Sequence, residues 1–493
     1  MTIDYKQKLR AFLHDPPDKA FQIQGHEERA KDYLKALNLD YAKPEDSDRI
    51  ASAADRIMTF KDKNNAQIQI DFIKDGQISH PLGSGILNLT DNGYFTNVNL
   101  TSVKNGIIEY FKNTSAKYNN DYKKIYLDIW RNFSEKIGCG ESEKSKIGEL
   151  WNLLPADSRI PDHSIIFHNW LTAAIDSCGN KISLIKFSLG PVQSFINKAR
   201  RTEDFWAGSY ILSYLTAQGI IYIIEKLGID NLVFPNVKGQ PFIDLYLKEQ
   251  GIDVDISGLK NRIMSASLPN VMFLICAEEK ADSILKGLKE RISHEWETMS
   301  TEILNNFQFN EYAQKIIIAP VIENFLEFYY AYVNIGKSEI EEFIKIYETK
   351  FDKKNVTITG DYSNNIGTYW AELYEYLDNA FAASKLIRTF PFVSEKGRKC
   401  SLCGEHSEIA DSENTSNSNK ELKEFWKSIS NNAGLFQIDE SGDEKLCPIC
   451  LTKRLSFTKF FSKKYPDYFK GNFPSLAQIA SLPFKLDFIK IWG

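Results

Sequence analysis

Four cysteines stand in two CxxC pairs, Cys400-Ser-Leu-Cys403 and Cys447-Pro-Ile-Cys450. A CxxC turn presents two thiolates from one backbone knuckle, and zinc takes four thiolates in a tetrahedron, so two knuckles amount to one structural zinc site. Gly404, directly after the first pair, suits the tight turn that a knuckle requires. The separation is longer than in a short zinc ribbon, and the polar run Asp411–Lys420 (DSENTSNSNK) accounts for it as an inserted mobile loop. The bland alternative is two unrelated pairs or a redox dithiol, but a redox motif needs only one pair. Cys276 lies in an apolar run and reads as core.

Histidine is scarce, with seven in the chain, so its placement carries information. His14-Asp15 is followed at once by Pro16-Pro17, which ends any helix there. His26, Asp55 and His168 come later. Phosphoryl chemistry on divalent ions needs imidazoles and carboxylates that converge, because the ions lower the pKa of a bound water and clamp phosphoryl oxygens. Each histidine alone reads equally well as a core or cap residue, whereas the elements together point to a metal site. An adjacent His-Asp, a later His and a later Asp resemble the HD phosphohydrolase superfamily. That superfamily has a further His before the dyad, and none precedes His14. His168, in His168-Asn-Trp-Leu-Thr-Ala-Ala, resembles that element displaced to the C-terminal side. The resemblance implies a circularly permuted, all-α HD domain over 1–180, with 60–105 as a surface insertion. In it His14, Asp15, His26, Asp55 and His168 would bind metal and activate water, with His163 behind them.

Elements must carry these residues. His26–Leu37 (HEERAKDYLKAL) has apolar residues at helical spacing, and Asp46–Met58 opens with Asp and Ser, good N-cap chemistry. Short β-like runs such as Ala66–Phe72 follow, and helical pattern returns over 107–178. From Ile182 the period changes. Ile182–Leu189 suits a strand, Gly190-Pro191 break it, and helices follow from Val192 and from Ala207. Leu232–Pro235 and Val271–Ala277 read as buried strands, Glu279–Phe307 as a long amphipathic helix and Ile316–Val321 (IIIAPV) as a fourth strand. That order is β-α-β-β-α-β, a ferredoxin-like unit over 181–335. Residues 338–385 read as mostly helical, so 336–493 forms a helical and zinc-binding region. The fold class is α+β, multidomain.

The length, 493 residues, exceeds what one core organises, and 43% hydrophobic with 25% charged residues excludes disorder as the default state. A net charge of −5 argues against tight autonomous nucleic-acid binding, which draws on a basic excess. Contact with nucleic acid would then be local, metal-assisted or shared with basic partners. The N-terminus has no apolar leader, and the apolar stretch Tyr210–Ile224 is broken by Ser, Thr, Gln and Gly short of the roughly 20 residues that span a bilayer. No membrane partner is expected. CxxC pairs suit the reducing cytoplasm.

The runs HDPPDKAF, GHEERA, ASAADR, PDHSIIFHN, GPVQSFINKARRTEDFWAGSY and FPSLAQIASLPF together resemble one family over about residues 8 to 485. It is the large subunit of the type III-B (Cmr) CRISPR effector complex. The resemblance implies an HD domain, a first palm domain, a zinc-binding insertion and a second palm domain. It implies RNA-guided antiviral function with other Cmr-type subunits, guide RNA and target RNA, and single-stranded DNA cleavage at an HD site holding Mn, Ni or Co. Members that make cyclic oligoadenylates carry a Gly-Gly-Asp-Asp turn in the second palm, and this chain has no two consecutive aspartates. The expectation is an N-terminal portion, split or shortened, without oligoadenylate synthesis of its own; a separate chain could supply the GGDD palm. Lys198, Arg200 and Arg201 form a basic cluster that reads as a nucleotide or RNA contact, or as a solvated helix end. A non-enzymatic scaffold with a vestigial HD site and a stand-alone HD nucleotide phosphohydrolase are the alternatives.

Overall fold

The computed structural model describes residues 2–55, 76–80, 84–88, 99–138, 148–157, 163–179, 181–335, 370–387, 395, 397–433, 438–470, 473–474 and 476–481. The β-like run expected at 66–72 and the first part of the helical stretch expected from 338 lie outside the described residues.

The first helices bring the histidines together. α1 (Tyr5–Phe12) is capped by Asp4, whose carboxylate accepts from Lys6 N and Gln7 N at 3.0 Å. It stops just before His14, since Pro16 and Pro17 cannot extend it. α2 (His26–Ala36) and α3 (Glu45–Ala54) follow. A small antiparallel pair, β1 (Gln77–Ser79) and β2 (Ile86–Asn88), occupies part of the expected insertion. α4 (Leu100–Lys117) and α5 (Tyr122–Gly138) lead to α6 (Ile165–Asp176), capped by Ser164. α6 packs on α1, with Phe12 stacked on Trp170 at 3.8 Å between ring centroids, and it is buried along most of its length.

α6 runs almost directly into β3 (Ile182–Gly190). After α7 (Gln193–Asn197) and α8 (Thr202–Lys226) come β4 (Leu232–Phe234), α9 (Pro241–Glu249), β5 (Val271–Ala277), α10 (Ala281–Leu304), α11 (Ala319–Glu323) and β6 (Glu327–Ile335). The four strands form one antiparallel sheet in the order β4-β5-β3-β6. The strand order is that of a β-α-β-β-α-β unit, with helix α9 inserted between its second and third strands, and the fourth strand is not Ile316–Val321. That segment is helical, a π turn over Ala313–Ile318 continued by α11 with Pro320 in its first turn. A short apolar run does not distinguish a buried strand from a buried helix, whereas Glu327–Ile335 (EFYYAYVNI) has the aromatic and β-branched content of a strand.

Helix α8 is long and apolar enough to cross a membrane, and 89% of its apolar window is buried inside the molecule. Tyr210 and Tyr214 on it meet Phe242, Phe461 and neighbouring rings in the main core. The opposite face of the sheet is covered by a second cluster, in which Ile182, Leu184, Phe273 and Ile275 meet Ala51 of α3, Ile175 of α6, and Leu373 and Leu377 of the helix Trp370–Ser384. Lys8 of α1 is buried against Asp230 and Asn231, both at 2.7 Å, and joins the first helices to the β4 edge.

The polar run Asp411–Lys420 is helical rather than a mobile loop. Ser412 caps a short helix, Glu413–Asn417, accepting from Thr415 N at 3.0 Å, and a second helix spans Asn419–Ala433. Ser and Asn there act as caps, and low hydrophobicity alone concealed that.

Candidate functional site

His14 and Asp15 occupy the corner between the end of α1 and Pro16. The Nδ1 of His14 lies 2.6 Å from the Ala11 carbonyl, so Nδ1 donates there and Nε2 is turned away from the α1 backbone. That buried Nε2 has no hydrogen bond among the described residues. His168 arrives on α6, its ring centroid 5.7 Å from that of His14. Ligand atoms of His14, Asp15 and His168, all buried, lie within 4.8 Å of one another. A cavity of about 290 Å³ is lined by these three together with His26, Asp48 and His163.

Asp48, on α3, is the carboxylate that sequence reasoning missed. Its Oδ1 stands 3.6 Å from His14 Nε2 and 3.4 Å from His168 Nε2. Burial favours the neutral acid there, but contacts with the two imidazoles outweigh it and hold Asp48 well below the ordinary carboxylate range. Asp55 lies elsewhere: its Oδ2 is 2.8 Å from His168 Nδ1, on the far side of the ring from the cavity donors. Asp48 and Asp55 are two helical turns apart and share a face of α3, so spacing was compatible with either. Burial works against a charged His168, yet Asp48 and Asp55 raise its pKa to about 9. His26 is farther out, its Nε2 3.7 Å from Asp15 Oδ1 and its Nδ1 2.9 Å from the Ile23 carbonyl. Lys19 pairs with Asp15 Oδ2. Burial raises Asp15, and Lys19 and His14 more than offset it, so the carboxyl is held low. The donor set of imidazole nitrogens and carboxylate oxygens, with an orphaned buried Nε2 among them, fits a first-row divalent ion.

The four cysteines meet. Cys400, Cys403, Cys447 and Cys450 are all buried with their sulfurs within 4.8 Å of one another, and Cys403 and Cys447 are 3.7 Å apart. A tetrahedron with zinc–sulfur bonds of about 2.3 Å places its sulfurs roughly 3.8 Å apart, so the cluster has the dimensions of a zinc site. Gly404 adopts φ +70° at the first knuckle, where its N–H donates to the Cys400 carbonyl at 2.9 Å. Cys447 caps the helix Pro448–Ser456, which carries Cys450.

The basic cluster faces this unit. Lys198 pairs with Glu405 at 3.3 Å, Arg200 donates to the Ser401 carbonyl at 2.6 Å and Arg201 reaches Glu444 at 3.5 Å. Beneath them Arg454, fully buried, is bound by Asp204 through both carboxylate oxygens and by Glu444 at 2.9 Å. Asp204 also accepts from Arg200 N and Arg201 N. The part of the GPVQSFINKARRTEDFWAGSY segment between α7 and α8 therefore seats the cysteine unit. Trp206 and Tyr210 stack at 4.5 Å within the aromatic core, as ring burial predicts.

A family described as CRISPR-associated protein Cmr2, N-terminal, matches residues 184–301. The CRISPR system Cmr subunit Cmr2 of Pyrococcus furiosus is 26% identical, over 92% of this chain and 56% of its own length. Its counterpart from Saccharolobus solfataricus is 27% identical over 49% of this chain and 24% of its own length. The chain thus spans about half of the Pyrococcus relative. A cryo-EM structure of the type III-B Cmr-beta bound to cognate target RNA contains a chain of similar fold, with a TM-score of 0.61 at 18% identity, covering 99% of this chain and 54% of that one. Sequence and fold are alike in being similar to the large subunit Cmr2 of type III-B Cmr systems.

Proposed function

We propose that this chain is a component of a type III RNA-guided antiviral effector, and that its first 180 residues form a permuted HD domain with a divalent metal site for hydrolysing phosphodiesters in single-stranded DNA. One observation carries the reading: His14 and Asp15 from the end of α1, Asp48 from α3 and His168 from α6 converge on one cavity. A manganese, nickel or cobalt ion held there supplies an activated water and neutralises phosphoryl charge. The chain's own residues do the rest. Ala11 and Asp55 engage the Nδ1 atoms of His14 and His168 and so turn both Nε2 atoms to the cavity. Lys19 holds one oxygen of Asp15. We place Asp48 among the ligands and Asp55 behind His168, with His26 at the edge of the site.

The split β-α-β sheet over 182–335 supports a palm-like domain, and the cysteine cluster supports a structural zinc in the region 336–493. We assign no oligoadenylate synthesis to this chain, which lacks paired aspartates. Other Cmr-type subunits, guide RNA and target RNA are the expected partners, in keeping with the target-RNA-bound relative. Lys198, Arg200 and Arg201 have partners within the chain, which favours docking of the cysteine unit over RNA contact for these three.

The test is cleavage of single-stranded DNA by the purified chain with Mn²⁺, Ni²⁺ or Co²⁺. His14→Ala combined with Asp15→Ala abolishes it; a double variant that cuts like the parent overturns the site. The second reading, a scaffold with a vestigial HD site, draws on the buried Arg454 network that joins the regions. Inactivity of the parent with all three metals favours that reading.

A further inference from the structure

Asn169 follows His168 on α6 and is fully buried. Its Nδ2 donates to the backbone carbonyl of Asp15 at 2.8 Å, across 154 residues of sequence. That carbonyl lies in the proline corner after α1. The amide that would cap it in a continuing helix, Lys19 N, is instead bonded to the Pro16 carbonyl at 2.9 Å. Only the amide nitrogen of Asn169 can donate to a carbonyl, so the orientation of the side chain is determined. Its Oδ1 then has no hydrogen bond among the described residues. A buried acceptor left unpaired is destabilising, so this asparagine is a poor choice for stability alone. Leucine would fill the same space without the orphaned Oδ1, at the loss of the one bond the side chain makes to the Asp15 carbonyl.

The bond spans the two halves of the metal-site reading. On one side are His14 and Asp15, on the other His168, adjacent to Asn169 and itself tied through its carbonyl to Thr172 Oγ1 at 3.0 Å. Proline at 16 and 17 interrupts helical hydrogen bonding at the corner, so contacts from outside must orient the Asp15 carboxylate. We propose that Asn169 is a positioning residue: by holding the Asp15 carbonyl against α6, it sets the spacing between the Asp15 carboxylate and the imidazoles of His14 and His168. It contributes no ligand atom in this role. The inference rests on the metal-site reading above.

Mn²⁺ titration of the full chain, followed by electron paramagnetic resonance, tests it. Asn169→Leu is expected to bind Mn²⁺ about 10–100-fold more weakly than the parent, the range seen when supporting residues of metal ligands are lost. The spectrum of the bound ion changes as well, while the metal-free chain melts near the parent's midpoint, because removing the orphaned Oδ1 offsets the loss of the donor to the Asp15 carbonyl. Equal affinity with an unchanged spectrum overturns the proposal, and so does a weakening matched by an equally destabilised metal-free chain. If Asn169→Leu does not fold, Asn169→Ser, too short to reach the Asp15 carbonyl, is read in the same way. A parent that binds no Mn²⁺ defeats the metal-site reading and this one with it. A parent that binds, with a variant that matches it, defeats only the role of Asn169.

Discussion

Asp55 and His168, 113 residues apart in sequence, meet at 2.8 Å through Oδ2 and Nδ1, and this contact turns the second nitrogen of the imidazole toward Asp48. A carboxylate behind a histidine selects its tautomer and raises its basicity as a ligand.

Asp48 on α3 and Asp55 at its C-terminal cap are therefore expected to differ in effect. Asp48→Ala removes a group facing the cavity and should abolish measurable Mn²⁺ binding at this site. Asp55→Ala should weaken it about 10–100-fold, as loss of an outer partner does. Isothermal titration of both variants gives the order, and the reverse order would exchange their roles.

Removing one thiolate should release the zinc. Cys403→Ser is expected to lower bound zinc from one ion per chain to none, as measured by atomic emission after dialysis. Residues 397–433 should then become sensitive to limited proteolysis, since Arg200 and Lys198 anchor to Ser401 and Glu405 beside the knuckle. A variant that retains its zinc would refute the four-thiolate assignment.

The buried Arg454–Asp204 pair should behave as a unit. Both side chains are inaccessible to solvent and 250 residues apart in sequence. Asp204→Ala leaves a buried guanidinium short of its partner and should cost about 3–5 kcal/mol. Arg454→Met should cost a similar amount, and the double variant less than the sum, because both single variants lose the same Arg454–Asp204 interaction. Urea unfolding measures the cycle, and additive losses would contradict the coupling.

Glu203, next to Asp204, supplies a pH test away from any metal. Burial pushes its carboxyl up to about 7, and the Asp204 charge adds to the rise while Arg454 opposes it. A carboxyl whose folded pKa exceeds its unfolded value binds a proton more tightly when folded. Its favourable contribution is thus complete at pH 4 and lost as pH rises through 7. Glu203→Gln should therefore match the parent near pH 4.5 and exceed it by about 1–3 kcal/mol at pH 8. Stability curves of parent and variant that stay parallel across this range would rule out the shift.

Local chemistry made much of this chain legible in advance. The CxxC spacing and Gly404 announce a knuckle because ligand geometry is set within a few bonds, and the strands at 182, 232 and 271 announce themselves through continuous apolar runs between breakers. The His14-Asp15-Pro16 corner is likewise a local event. What sequence left open is which distant groups meet. Asp48 and Asp55 are equivalent by helical spacing, and only the approach of α6 makes one face the cavity and the other stand behind His168. Ile316–Val321 is apolar enough for either strand or helix, and the sheet accepted Glu327–Ile335 instead. Lys198, Arg200 and Arg201 look like free cations until the cysteine unit is seated on them. In each case the residue types were visible, but burial and partners come from packing between segments far apart in the chain, which no local pattern encodes.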